Sequence, residues 1–149
     1  MVNKFNKRNE VSLLTKTLQN KKTLQDEPSK NFKVSFQYLD CTQKYASGFK
    51  DWQKFGLLSK ALEVLQGYCC GPLLTQVDGS KFTIYGDFPE KNRTYFQHPK
   101  HVPEDASWGR IHITGVAILA GHIVGDTFYV VFLDKSHKFF LTKRAAGIK

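Results

Sequence analysis

From Trp108 to Leu141 apolar and polar residues alternate in a segment rich in Ile, Val, Phe and Tyr, interrupted at Gly115, at Gly125-Asp126 and at Asp134-Lys135-Ser136. A period of two broken by turn-forming residues predicts consecutive strands joined by tight turns, an antiparallel meander. Side chains alternate across a pleat, so Ile111 and Ile113 go to one side while Arg110, His112 and Thr114 go to the other. One face is therefore expected to be core and the other to carry chemistry. At Phe128-Tyr129-Val130-Val131-Phe132-Leu133 the alternation gives way to an apolar run, the pattern of a central strand covered on both faces. Such a sheet needs a helical layer behind it.

The residues before the meander supply candidates for that layer. Phe32–Leu39 alternates with Phe32, Val34, Phe36 and Tyr38 on one side and predicts a first strand. It is expected to pair with the meander, because a lone strand leaves its backbone groups unsatisfied. Phe49–Gln66 places Phe49, Trp52, Phe55, Leu58, Leu62 and Leu65 at spacings of three and four, which predicts one amphipathic helix with Gly67 as its C-cap. A short second helix within Tyr68–Val77, after Pro72, and a short strand at Lys81–Tyr85 follow. The expected fold is α+β: an N-terminal strand, a helical layer and an antiparallel C-terminal meander. Residues 1–31 read as a basic arm with an apolar stripe at Val11, Leu14 and Leu18 that Pro28 ends; residues 32–149 read as one domain with a long loop at 78–107. The tail Lys143–Lys149 is basic and expected to fray.

Composition narrows the partners. The chain has 149 residues, 41% hydrophobic and 13% aromatic, enough for a sizeable core, and its formal net charge is +9. Each Lys or Arg set against a phosphate releases counterions, so a polyanion is the expected partner: nucleic acid first, an acidic protein or an anionic membrane surface as rivals. Val11-Ser12-Leu13-Leu14 is cut by Lys16, too short for a signal-peptide core or a spanning helix, which points to a cytoplasmic protein without a membrane anchor. Cys41, Cys69 and Cys70 are odd in number and lack CxxC spacing, so they are expected to be small buried hydrophobes. A zinc site from Cys69, Cys70, His98 and His101 would strain tetrahedral geometry, and neither a metal nor a cofactor is expected.

Candidate chemistry lies in the loop and the meander. Lys91, Arg93, Tyr95, Phe96, His98, Lys100 and His101 interleave basic and aromatic groups, a composition that grips phosphates while stacking bases. The competing reading is a solvated loop whose aromatics tuck onto the core. With Lys135 and Lys138, the residues Lys91, Arg93, Tyr95 and Lys100 form the expected RNA-binding set. No Gly-rich phosphate loop, GxSxG elbow or framed pair of carboxylates occurs, so nucleotide hydrolysis, serine acyl transfer and glycoside hydrolysis lack support. Histidine remains. His98, His112, His122 and His137 lie in or just before the meander, and imidazole gives and takes protons near neutral pH. RNA cleavage without a metal needs a base for the 2′-hydroxyl proton, an acid for the leaving 5′ oxygen and a cation for the phosphorane; Arg110 suits the last role. Each histidine also has a structural alternative: an exposed strand residue at His112, a turn residue at His137, a cross-strand partner at His122 and a solvated loop residue at His98.

Strand, helices and three-stranded meander in a small basic protein resemble the RelE/ParE superfamily of bacterial toxins, and most closely its YafQ-like branch. The features that carry the likeness are His98-Pro99, Gly109-Arg110-Ile111-His112-Ile113, the hairpin around Gly125-Asp126, and His137 followed by Phe140. The resemblance spans Phe32–Leu141. It implies a RelE-like fold and an endoribonuclease toxin of a toxin-antitoxin pair, acting on RNA at the ribosome and neutralised by an acidic antitoxin. It also implies His112 with His98 or His137 as base and acid, Arg110 stabilising the transition state and Phe140 stacking a base. Val116 stands where the branch carries an acidic residue, and Lys135 and Lys138 are the nearest cations to the usual arginine of its last strands. Val34-Ser35-Phe36-Gln37-Tyr38-Leu39-Asp40 and FYVVFLDKSHKFF are also similar to the start and end of an uncharacterised bacterial family. The alternative function is a non-catalytic nucleic-acid-binding or phage/defence accessory protein.

Overall fold

A computed structural model of the chain describes residues 30–141. The stripe at Val11, Leu14 and Leu18 and the tail Lys143–Lys149 lie outside the described residues. Apart from Lys30, all described residues belong to one unit that begins at Asn31. It is an α+β structure of five strands and two helices: β1 (Lys33–Ser35), α1 (Phe49–Lys54), α2 (Leu57–Tyr68), β2 (Phe82–Gly86), β3 (Ser107–His112), β4 (Ile118–Val124) and β5 (Thr127–Asp134).

The strands form a single sheet in the order β1-β5-β4-β3-β2. The β3-β4-β5 meander is antiparallel as its alternation predicts, and β2 extends it antiparallel to β3. The first strand does pair with the meander, but it runs parallel to β5, with Val34 opposite Phe128, so the sheet is mixed. That pairing makes β5 a central strand and explains its apolar run: Phe128 and Val130 through Leu133 are buried. The first strand is shorter than its alternation suggests. After Ser35 the chain turns, with the Leu39 N–H donating to the Phe36 carbonyl (3.1 Å), so Tyr38 and Leu39 leave the ladder.

Both faces of the sheet carry core, which corrects the expectation of one buried and one chemical face. On one side Phe82, Ile111, Ile113, Leu119, Phe128 and Val130 pack against Trp52 of α1 and Ala61 and Leu65 of α2. On the other side Trp108, Ile118, Ala120, Val131 and Phe132 are covered by Phe96, Val102, Phe139 and Phe88. The second cover is thus a loop and a tail, and its rings interlock: Phe96 meets Phe132 at 4.4 Å and Phe88 meets Trp108 edge-on at 5.0 Å.

The single helix expected over Phe49–Gln66 is two helices, broken at Gly56, whose φ of 69° is left-handed. The break shifts the phase of the apolar stripe. Trp52, Ala61 and Leu65 are buried, whereas Phe55 and Leu62 are more than half exposed (62% and 51%). Gly67 lies inside α2, which ends at Tyr68, and the expected second helix is a single 3-10 turn at Leu74–Gln76. Cys41 and Cys70 are exposed and Cys69 is half-buried, so the cysteines are not core residues. Cys69 and Cys70 sit where α2 unwinds, and helix ends face solvent. Among the described residues no helix is long and apolar enough to cross a membrane.

Candidate functional site

The alternation of β3 sends Trp108, Arg110 and His112 to the face covered by the loop. Trp108 lies beneath that cover; Arg110 and His112 emerge at its edge, half-buried. His137 reaches them from the turn after β5. That turn is built on Asp134, the last residue of β5, which is fully buried and accepts the N–H groups of Lys138 and Phe139 on Oδ2, both at 2.8 Å. Two anchored amides leave the three residues between to make a tight reversal, and His137 adopts a left-handed φ of 58°. Burial pushes the Asp134 carboxyl above the usual carboxylate range, opposed by the amide bonds from Lys138 and Phe139.

The three side chains converge. Arg110 Nη1 lies 3.2 Å from His137 Nε2, and the rings of His112 and His137 are 5.3 Å apart. Guanidinium only donates, so His137 Nε2 must accept and His137 is neutral in this arrangement, its proton on Nδ1. His112 Nδ1 lies 3.2 Å from the Thr114 carbonyl, which only accepts, so Nδ1 carries the proton and Nε2 is left with a free lone pair. Burial holds the His112 pKa below the ordinary value, with Arg110 and His137 adding to the shift and the Thr114 bond opposing it. His112 is thus an imidazole kept neutral with its acceptor nitrogen unused.

Beside this trio stands a column of two stacked rings with a guanidinium at each end. The Arg110 guanidinium lies 5.5 Å over Tyr85, Tyr85 stacks on Phe140 at 4.2 Å and 11°, and Arg93 lies 5.2 Å over Phe140. With Tyr85 on one face of Phe140, Arg93 takes the other. Burial pushes the Tyr85 hydroxyl up to about 12, so it remains protonated. The loop and the tail that carry the column are stitched together: the Leu141 N–H donates to the Arg93 carbonyl at 2.8 Å and the Tyr95 N–H to the Lys138 carbonyl at 3.0 Å. Lys138 Nζ in turn lies 5.1 Å over Tyr95.

The structure therefore brings together Arg110, His112, His137 and Phe140 from the expected catalytic set, and Arg93, Tyr95 and Lys138 from the RNA-binding set. His98 is elsewhere. Its ring packs edge-on against Phe88 and Trp108, and Nδ1 bonds the Pro99 carbonyl at 2.9 Å. Trp108 is four residues from His112 on the same strand, a separation of roughly 13 Å at the usual strand rise. Lys91 and Lys100 are exposed on the loop, Lys100 next to the His98-Pro99 end. Lys135 is engaged on the helix side, with Nζ 2.8 Å from Asp51 Oδ2 and 4.1 Å over the Phe55 ring. His122 is structural, 2% exposed and stacked on Tyr129 at 4.9 Å.

Tyr85 is the site residue the sequence reading missed. Thr83 pairs with Arg110, so the alternation of β2 puts Thr83 and Tyr85 on the face of Arg110. The signal was present in Phe82-Thr83-Ile84-Tyr85, but it becomes usable only with the β2-β3 register. Among the described residues no three His, Cys, Asp or Glu side chains are grouped to hold a metal ion, so Cys69, Cys70, His98 and His101 form no such set. No protein-family model, no curated protein and no solved structure matches the chain.

Proposed function

We propose that the protein is an endoribonuclease with a RelE-like fold that cleaves RNA by histidine acid/base catalysis, the toxin of a toxin-antitoxin pair. The observation that carries this reading is the convergence of Arg110, His112 and His137, one guanidinium and two imidazoles, at the edge of the covered face. His112 Nε2 takes the proton of a 2′-hydroxyl as its oxygen forms a bond to phosphorus. The P–O5′ bond breaks, and the leaving oxygen receives a proton from His137. In the free protein Arg110 occupies the nitrogen that His137 would use. A bound phosphate draws the guanidinium to itself, which frees His137 Nε2 to be protonated and places the cation on the developing charge. Substrate binding thereby arms the acid. The resemblance to ribosome-dependent toxins makes RNA on the ribosome the expected substrate and a small acidic protein the expected antitoxin.

A second reading has its own support. Both faces of Phe140 are covered, so the column is a rigid surface as it stands, suited to a non-catalytic nucleic-acid-binding or phage/defence accessory protein. Cleavage of a labelled RNA, with and without ribosomes, separates the two. His112→Ala and His137→Ala are each expected to slow cleavage by roughly 10²-fold or more, the size of a lost proton-transfer group, with the circular dichroism spectrum unchanged. Unchanged rates in both variants, or activity abolished by EDTA, would overturn the mechanism. Expression is expected to arrest growth, and co-expression of an acidic protein encoded beside it to relieve the arrest.

A further inference from the structure

A groove of about 790 Å³ opens where β3 ends and β2 begins, and Arg110 and His112 form part of its wall. It falls within the range of about 300–1,000 Å³ typical of small-molecule sites. Its chemistry is divided. Val64 and Tyr68 of α2 and Ile113 give it an apolar side, while Arg110, His112 and the exposed Lys81 give it a cationic one, and no carboxylate lines it. Asp78, next to Gly79 of the groove wall, has Oδ1 committed to the N–H groups of Ser80 and Phe82 at 2.9 and 3.0 Å. Gln76 also lines the groove, and its amide nitrogen lies 2.8, 3.0 and 2.9 Å from the carbonyls of Tyr68, Gly71 and Pro72, which share its two hydrogens. That fixes the side chain and leaves Oε1 as its acceptor. Three glycines line the groove, and a Cβ on Gly67, Gly79 or Gly115 would meet nothing within 4 Å.

An apolar side, a fixed acceptor and a cationic side suit a nucleotide, with the base against Tyr68 and Ile113 and the phosphate between Lys81 and Arg110. Arg110 also lies over Tyr85, and Tyr85 lines a second recess of about 430 Å³ with Phe140 and Arg93. That second recess also carries Asp87 and Glu90, so the groove without carboxylates is the better place for a nucleotide beside the Arg110 phosphate. We propose that the groove is a subsite for one splayed base of single-stranded RNA, the nucleotide adjoining the phosphate held by Arg110. A base enters it only after leaving its stack and its pair, so duplex RNA is excluded. The proposal rests on Arg110 as the phosphate-facing group and is independent of whether the bond is cut.

The test is binding of the full chain to a short single-stranded RNA made uncleavable by 2′-O-methyl groups. Its comparisons are the same sequence as a duplex, the same strand with one abasic nucleotide, and a free nucleoside monophosphate. Gly115→Trp fills the groove, and Gly67→Leu, which favours the helix, fills it from the opposite wall. The intact strand is expected to bind about tenfold or more tighter than the duplex, the mononucleotide or the strand with its abasic unit in register, the scale of one lost base contact. Either filled variant is expected to lose that margin on the intact strand and to bind the abasic strand as the wild type does. Equal binding of duplex and single strand, or full affinity in both filled variants, would overturn the subsite. Mononucleotide binding as tight as the strand would overturn the commitment to RNA. Base-dependent binding without any cleavage would leave the subsite standing and remove the catalytic reading; His112-dependent cleavage that Gly115→Trp and Gly67→Leu do not affect would remove the subsite alone.

Discussion

Asp134→Ala is expected to unfasten the turn that presents His137. The carboxylate is fully buried and one oxygen, Oδ2, accepts both the Lys138 and the Phe139 N–H at 2.8 Å. Removing it strands two backbone donors, one of them in the buried residue Phe139, at ~1–3 kcal/mol each, so a loss of ~2–6 kcal/mol follows. For a domain of this size that lowers Tm by on the order of 10 °C. Asp134→Asn keeps an acceptor oxygen and is expected to stay within ~1 kcal/mol of the wild type. The pair also differs in pH dependence. Because burial raises the Asp134 pKa, the folded state binds the proton more tightly than the unfolded state. The group's stability contribution is thus complete below the unfolded value of 3.8 and declines as pH rises through the higher folded value. Asn has no proton to lose, so the stability of Asp134→Asn relative to the wild type should improve as pH rises. Urea unfolding between about pH 4 and 7 reads both effects. Wild-type stability in Asp134→Ala, or a flat difference curve for Asp134→Asn, would refute the reasoning.

His122 has neither ring nitrogen partnered, and burial, with His98 adding, lowers its pKa. Its folded state excludes a proton that the unfolded chain takes up below about 6.5, so stability falls as pH drops through that range; His122→Phe should flatten the acid limb of the unfolding curve and be neutral or stabilising by up to ~1 kcal/mol at neutral pH. Gly121 sits at the register shift between β4 and β5, and an added Cβ would overlap the Tyr129 carbonyl. Gly121→Ala should cost ~3 kcal/mol or more, whereas Gly115→Ala, with open space around it, should leave Tm unchanged or slightly raised. Equal Tm values for the two alanine variants would contradict the packing described for β4.

Much of the sheet was legible because its signals are local. Alternation placed β3, β4 and β5, and the apolar run of β5 announced a strand with neighbours on both sides, as its position between β1 and β4 requires. The parallel direction of β1 was not legible, since nothing in Lys33–Ser35 distinguishes parallel from antiparallel pairing and the rest of the domain intervenes. The break at Gly56 was hidden because spacings of three and four run through it unchanged; only the left-handed φ shows that the stripe changes phase. The second cover was legible only as the competing reading of the loop, aromatics tucked onto the core, and which aromatics do so was not. Phe88, Phe96 and Val102 lie in an irregular loop without period, so their burial depends on contacts distant in sequence. For the site, β3 alternation correctly put Arg110 and His112 together. Bringing His137 to them required the Asp134 turn, and separating His98 from them required the loop's path.

In the proposed reaction His112 and His137 transfer the protons and Arg110 stabilises the charge that develops on the phosphate. Turnover of a labelled RNA across about pH 5.5–8, ribosomes present and absent, tests it most directly, because Lys and Arg do not titrate in that range and imidazole does. A bell-shaped rate is expected, whose rising limb, set by deprotonation of His112, lies below the ordinary value of 6.5 and disappears in His112→Ala. Salt-sensitive binding with no product at any pH, ribosomes included, would contradict it and make the protein a nucleic-acid-binding module.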